Sequence, residues 1–191
     1  MAWEETFLLF LQNNVRNDIL TPIMNFFSFL GNYGWFWIAL CIFMLIFKPT
    51  RWIGIIAAVA LAISALICNG ILKPVIDRTR PFVAIEDLVL ITKMPPDSSF
   101  PSGHSNAAFV VAWAVTLSLS RNRKWIGIVL LVAAAITAFS RLYLGAHYPT
   151  DVIAGTLIGS VIGILVYLIL RKKVLKIETE SENESAGSFF I

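Results

Sequence analysis

Apolar positions in this chain come in long blocks, not in the alternation of a sheet strand or the single stripe of a surface helix. A helix that spans a bilayer needs about 20 predominantly apolar residues. Five blocks approach that length: residues 34–47, which can extend back through Gly31, Asn32 and Tyr33, then 52–72, 105–120, 125–142 and 152–170. Ahead of them, 3–11 reads as a short amphipathic helix. Asp18 is placed to cap a second helix over 19–30, which is either a sixth, tilted span or an interfacial helix. The predicted fold class is all-α, a polytopic membrane helix bundle of five to six transmembrane helices. It divides into an N-terminal segment of interfacial or short transmembrane helices (1–30), a core (31–170) and a polar tail (171–191) expected to be disordered.

Composition supports the bilayer. The 191 residues are 58% hydrophobic and 14% charged, with a mean hydropathy of +0.78, whereas soluble domains are nearer half apolar and a quarter charged. The net charge of +3 does not point to nucleic acid as a partner, because the basic residues sit at the ends of apolar blocks and form no stripe. Lys48 and Arg51, then Arg121, Arg123 and Lys124, then Arg171, Lys172, Lys173 and Lys176 fall on one face if the spans alternate. The positive-inside rule makes that face cytoplasmic. Glu4 and Glu5 before a short apolar run do not read as a cleaved signal peptide. Cys41 and Cys68 lie inside apolar blocks, in no metal-ligand or redox spacing, and read as small buried hydrophobes.

The opposite, extracytoplasmic face receives the connections 73–103 and 143–150, and both carry residues that are costly near a membrane. Lys73, Arg78 and Arg80 place three cations at the mouth of the bundle, against the orientation rule. Taken alone they fit headgroup anchoring as well as anion binding. Pro101, Ser102, Gly103 and His104 lead into the block at 105. A helix N-terminus there presents unpaired N–H groups and partial positive charge, which suits an anion, and a plain helix cap fits too. Arg141 closes the block before the last turn, His147 lies in that turn, and Asp151 follows four residues later, near one helical turn. That spacing lets a carboxylate hold an imidazole N–H and fix its tautomer, although a cap and an interfacial histidine account for the pair separately. The chain's two histidines both belong to these groups. The block 52–72 is expected to end near Lys73, since Pro74 disfavours helix at the residue before it. Asp77, Glu86, Asp87 and Asp97 read as solvated loop charges.

Lys73 with Arg80-Pro81, then Pro101-Ser102-Gly103-His104, then Ser140-Arg141 with His147 and Asp151 resemble, in order and in internal spacing, the three-part signature of the type-2 phosphatidic acid phosphatases. The resemblance covers roughly residues 50–170. It implies that His147 attacks phosphorus to form a phosphohistidine, Asp151 holds its other nitrogen, and His104 protonates the leaving oxygen and then activates water. Lys73, Arg80, Arg141, Ser102 and Gly103 would bind the phosphoryl oxygens. Arg78 is outside the signature and is expected to be a secondary phosphate or headgroup contact.

The implied function is a phosphatase of membrane lipid phosphates or diphosphates in the cell membrane, with no metal and no cofactor. Undecaprenyl pyrophosphate is the first candidate substrate, and phosphatidylglycerol phosphate or phosphatidic acid the next. A lipid phosphotransferase and a non-enzymatic lipid-binding or transport protein are the rival classes. The bilayer and the lipid substrate are the expected partners, and the sequence fixes no oligomeric state.

Overall fold

The computed structural model describes residues 2–187, with side chains as far as Lys172. Among these residues the structure is helical and contains no strand. Helix α1 (Ala2–Phe10) runs into a π-turn (Leu11–Val15) and is followed by α2 (Leu20–Gly31) and α3 (Trp35–Ile46). Helix α4 (Arg51–Ala65) continues as a π-helical stretch (Leu66–Leu72) into α5 (Lys73–Ile76), and α6 (Pro81–Ala84) is one short turn. Then come α7 (Gly103–Ser118), α8 (Lys124–Tyr143) and α9 (Pro149–Gly187). The tail expected to be disordered begins at 171, and all of it beyond Lys172 lies outside the residues described in full.

Among the described residues four helical stretches are long and apolar enough to cross a membrane: Leu20–Ile46, Lys48–Ala84, Arg121–Tyr143 and Pro149–Lys172. Their outer sides carry exposed Ile128, Val129 and Val132 on α8 and Ile153, Leu157, Val161 and Leu165 on α9. Water would not tolerate so continuous an apolar surface. Helix α7 has 16 residues, about 24 Å at 1.5 Å per residue. It is the axis of the bundle: Ala108, Val110, Val111, Ala112 and Ala114 on it are fully buried, with α4, α8 and α9 packed around them.

Helix α9 reaches α7 along glycines spaced four apart. A Cβ on Gly155 would lie 2.4 Å from the Ser102 carbonyl oxygen, one on Gly159 2.5 Å from that of Asn106, and one on Gly163 2.6 Å from that of Val110. The two backbones therefore touch. In lipid no hydrophobic force drives helices together, so close van der Waals approach at small residues takes its place. A polar pair adds to it on the other side, where Ser64 of α4 donates to Asn106 Oδ1 at 2.6 Å.

Three local expectations are corrected. Asn17, not Asp18, starts α2: its Oδ1 accepts from the backbone N–H groups of Ile19 and Leu20 at 3.0 and 2.9 Å. Stretch 20–46 is broken at Asn32–Gly34, where Tyr33 (φ 52) and Gly34 (φ 69) are left-handed, so α2 packs on α8 and α3 on α4. The helix does not end at Lys73 but passes through Pro74 to Ile76. The preceding π-turns already displace the hydrogen-bond register, and a proline without an N–H loses little there. Asp77, left-handed at φ 40, ends it.

Replacing Gly159 with Val is expected to lower stability in detergent by about 1–3 kcal/mol, the range for overpacking a tight contact. Val161→Leu, on the exposed side of the same helix, should leave it unchanged. Unfolding midpoints of the two variants check this.

Candidate active site

Helices α5, α7 and α9 begin, and α8 ends, around one cavity of about 640 Å³. Six of the eight residues singled out from the sequence line it: Lys73, Arg80, Gly103, His104, Arg141 and His147. The other two, Ser102 and Asp151, are fully buried. Away from this polar end the wall is apolar, made by Ile38 of α3, Leu61 and Ala65 of α4 and Ala107 of α7. Residues 93–97 form the remaining side.

The turn between α8 and α9 holds His147 with its side chain buried. Its Nε2 lies 3.2 Å from Arg80 Nη1. A guanidinium only donates, so Nε2 is the unprotonated nitrogen and the proton is on Nδ1. That Nδ1 faces Asp151 Oδ2 at 3.5 Å, just outside hydrogen-bond range, and has no closer partner. Burial, reinforced by Arg80 and Arg141 and only partly offset by Asp151, pushes the imidazole down to about 3. The ring is thus neutral across the physiological range and keeps a lone pair on Nε2.

Asp151, in the first turn of α9, is held from several sides. Ser99 Oγ donates to Oδ2 at 2.5 Å and the Tyr148 N–H at 2.9 Å, while Arg78 Nη1 donates to Oδ1 at 2.5 Å. Its backbone carbonyl accepts from Ser102 N–H at 3.0 Å, which ties the start of α9 to the start of α7. Ser102 is the N-cap of α7, its Oγ 3.0 Å from Ser105 Oγ. On α7, His104 Nε2 lies 3.2 Å from the Ser28 carbonyl oxygen and 3.1 Å from Asn32 Oδ1. A carbonyl only accepts, so this Nε2 carries the proton and Nδ1 is left for exchange. Gly31 leaves the ring its room, since a Cβ there would sit 2.5 Å from His104 Cδ2. Arg141 is buried, donates through Nη1 to Ser28 Oγ, and has an Nε without a partner. A buried N–H left open beside two other cations is a place where an anion would complete the bonding.

Two expectations change. Arg78 is not a lining residue of the cavity: its guanidinium reaches Asp151, Thr150 Oγ1 at 2.7 Å and Glu4 Oε2 at 2.8 Å. Asp97 is half exposed but not a free loop charge, because it bridges Lys73 Nζ at 2.5 Å and Arg80 Nη2 at 2.7 Å. Partial burial would raise its carboxyl, but the two cations outweigh that and hold it below the usual range. Among the described residues no group of three or more His, Cys, Asp or Glu gathers in metal-binding fashion.

Residues 51–175 match the PAP2 superfamily. The chain belongs to that family. It is a PAP2 phosphatase with the family's helical fold. An undecaprenyl-diphosphatase of Sulfolobus acidocaldarius is 41% identical over 139 residues, 72% of this chain and 66% of that protein. A lipid A 4'-phosphatase of Bacteroides thetaiotaomicron is 30% identical over 184 residues, 90% of this chain and 81% of that one. The crystal structure of a PAP2-type phosphatidylglycerolphosphate phosphatase from Bacillus subtilis superposes with a TM-score of 0.73 at 27% identity, covering 90% of this chain and 86% of that one.

Asp97, Glu4 and Gly31 are the parts of this PAP2 site that the sequence reading passes over. Asp97 occupies with a carboxylate the two cations that an oxyanion would use. Asp97→Asn should therefore tighten vanadate binding several-fold, because a neutral amide competes less well for Lys73 and Arg80. Vanadate titration of the two proteins, followed by thermal shift, checks the direction.

Proposed function

We propose that this PAP2 protein is a lipid phosphatase that works through a phosphohistidine on His147, without a metal. The observation that carries the reading is the state of His147: buried and neutral, with Nε2 accepting from Arg80 and Nδ1 turned to Asp151. The Nε2 lone pair attacks phosphorus, and the bond from phosphorus to the leaving oxygen breaks. His104, carrying a second proton on Nδ1 while its Nε2–H stays on the Ser28 carbonyl, gives the Nδ1 proton to that oxygen. His104 then takes a proton from water, the water oxygen attacks the phosphohistidine, and inorganic phosphate leaves with His147 restored. Splitting hydrolysis in this way replaces one hard step with two easier ones.

Lys73, Arg80 and Arg141 hold the phosphoryl oxygens, and the Gly103 N–H adds a donor at the start of α7. Ser102 supports that donor by capping the helix. Phosphoryl transfer is mostly positioning and charge stabilisation, and three cations around one cavity supply both. As negative charge leaves the phosphorus, the forming imidazolium is supported by Asp151.

The apolar wall of Ile38, Leu61, Ala65 and Ala107 suits an acyl or isoprenoid tail. Undecaprenyl pyrophosphate is the substrate we favour, in keeping with the name of the Sulfolobus relative. Phosphatidylglycerol phosphate and phosphatidic acid come next. The cavity opens on the extracytoplasmic side. Lys48 and the turn Arg121–Arg123 lie at helix ends away from it, and Arg171 and Lys172 close the apolar stretch of α9 that starts beside it, which supports a cytoplasmic position for those turns and for the tail. With α7 counted, five to six helices cross the bilayer, and α1 lies at the interface.

Phosphate release by detergent-purified protein in EDTA tests this, with undecaprenyl pyrophosphate, phosphatidylglycerol phosphate and phosphatidic acid side by side. Release should survive EDTA and fall by at least about a thousandfold in His147→Ala, the scale on which loss of a covalent nucleophile acts. The diphosphate should turn over fastest. A His147→Ala protein that keeps most of its activity defeats the nucleophile, and loss of release in EDTA defeats the metal-free mechanism.

A further inference from the structure

One buried group of charges lies outside the cavity, and no step of the proposed chemistry uses it. Glu4, in α1, is completely buried, while Trp3, Phe7 and Phe10 of the same helix are exposed. An interfacial helix ordinarily turns its charges to water and its apolar side to lipid or protein. Here a carboxylate is the side chain turned inward, and the protein supplies its partners. Glu4 Oε1 accepts from the Thr150 N–H at 3.1 Å and from Thr150 Oγ1 at 2.6 Å, in the first turn of α9. Its Oε2 accepts from Arg78 Nη2 at 2.8 Å. Burial works against the charge, but the Thr150 hydroxyl and N–H together with Arg78 outweigh it and hold the carboxyl below its usual range.

The same guanidinium continues to the site. Nη1 of Arg78 donates to Asp151 Oδ1 at 2.5 Å, and the guanidinium lies over the Tyr148 ring, 3.9 Å from its centroid. Charges therefore alternate along one path: Glu4 negative, Arg78 positive, Asp151 negative, then the His147 imidazole. A planar guanidinium gripped at both ends has its plane fixed, and on the Oδ1 side that plane holds the Asp151 carboxylate, as Ser99 and the Tyr148 N–H hold it on the Oδ2 side. The charge matters as well. Without Glu4, Arg78 would direct its whole charge at Asp151 and weaken the support that Asp151 gives to an imidazolium.

We propose that Glu4 is a positioning residue for His147, acting through Arg78 and Asp151, so that helix α1 is part of the working site. This rests on the reading of His147 as nucleophile. Neither Glu4 nor Arg78 lines the main cavity, so the effect belongs in turnover and not in substrate binding. Arg16 fastens the neighbouring segment to the same turn, donating to the Tyr143 carbonyl at 2.9 Å and to that of Val89 at 2.8 Å. Glu4 and Arg16 thus tie residues 2–16 to the turn that holds the imidazole.

The experiment uses the full chain with [15N]histidine. The chain has two histidines, so His104→Ala assigns the spectrum. Glu4→Gln should lower kcat about tenfold, in line with small misplacements of a catalytic group, with KM within about twofold of the parent. The His147 Nδ1–H resonance should shift. Glu5→Gln, the same chemical change at an exposed position one residue on, should change neither. If Glu4→Gln does not fold, Thr150→Val removes the hydroxyl between Glu4 and Arg78 and is read in the same way. Parent-like kcat overturns the proposal, and so does a loss confined to thermal stability or KM with the His147 resonance unmoved. An active His147→Ala protein would instead sink the underlying mechanism. Inactive His147→Ala beside parent-like Glu4→Gln sinks only the role given to Glu4.

Discussion

Charge that is withdrawn from water has to be answered by other charge, and the mouth of this bundle is arranged around that requirement. An ion buried alone costs several kcal/mol. Lys73 and Arg80 are answered by Asp97, and Arg78 by Glu4 and Asp151. Arg141 bonds Ser28 and keeps one N–H open. His147 meets the same requirement by staying neutral. The partners come from α1, α2, the 97–99 segment and the start of α9, so satisfying the charges also fixes four separate pieces of chain against one another. Geometry that suits a phosphoryl group is a consequence of that mutual neutralisation. The cations are held a few ångströms apart by carboxylates whose oxygens span the same kind of distance as those of a phosphate.

Below the mouth the governing term changes from charge to close approach. Ala and Val on α7 and glycines on α9 bring two backbones into contact, and the contact nearest the mouth, Gly155 against the Ser102 carbonyl, is also the point where Ser102 N–H meets the Asp151 carbonyl. Packing and site share an atom pair there. A bulkier residue in that glycine stripe would displace the start of α7 relative to the start of α9, and with it the relation of Gly103 and His104 to His147. Gly31 acts similarly from α2, by leaving space for the His104 ring.

Much of this was legible in the sequence because the signals were local. Hydropathy blocks located both ends of α7 and α8 and the starts of α4 and α9 to within a few residues, and short motifs marked six residues that line the cavity, from Lys73 to His147. Asp97 and Glu4 were not legible. Asp97 sits in a loop with Glu86 and Asp87 close by in sequence, and nothing nearby distinguishes it; its partners are 24 and 17 residues away. Glu4 meets Thr150 across 146 residues, a separation that no periodicity reports. The errors at Asp18 and Pro74 have another origin. Asn17 and Asp18 are both competent caps, and a one-residue register decides between them. The rule for residues before proline assumes α-helical turns, and the π-helical stretch ahead of Lys73 removes that assumption. Tyr33 and Gly34 were read as an extension of a span because hydropathy is blind to a left-handed pair.

The division between a polar end and an apolar wall also bears on why relatives with different named substrates share this architecture. Cations and a helix start recognise a phosphoryl group and are indifferent to what it is esterified with. Discrimination has to come from where the rest of the lipid goes, and on the proposed reading that is the wall of Ile38, Leu61, Ala65 and Ala107 beside the break at Tyr33 and Gly34. None of those positions carries a charge or a hydrogen-bond donor in its side chain, so selection there works by shape and buried area. One methylene more or less in such a wall is worth only about 1–3 kcal/mol. On the proposed reading tail selectivity is therefore graded, whereas the requirement for a terminal phosphate, set by Lys73, Arg80 and Arg141, is steep.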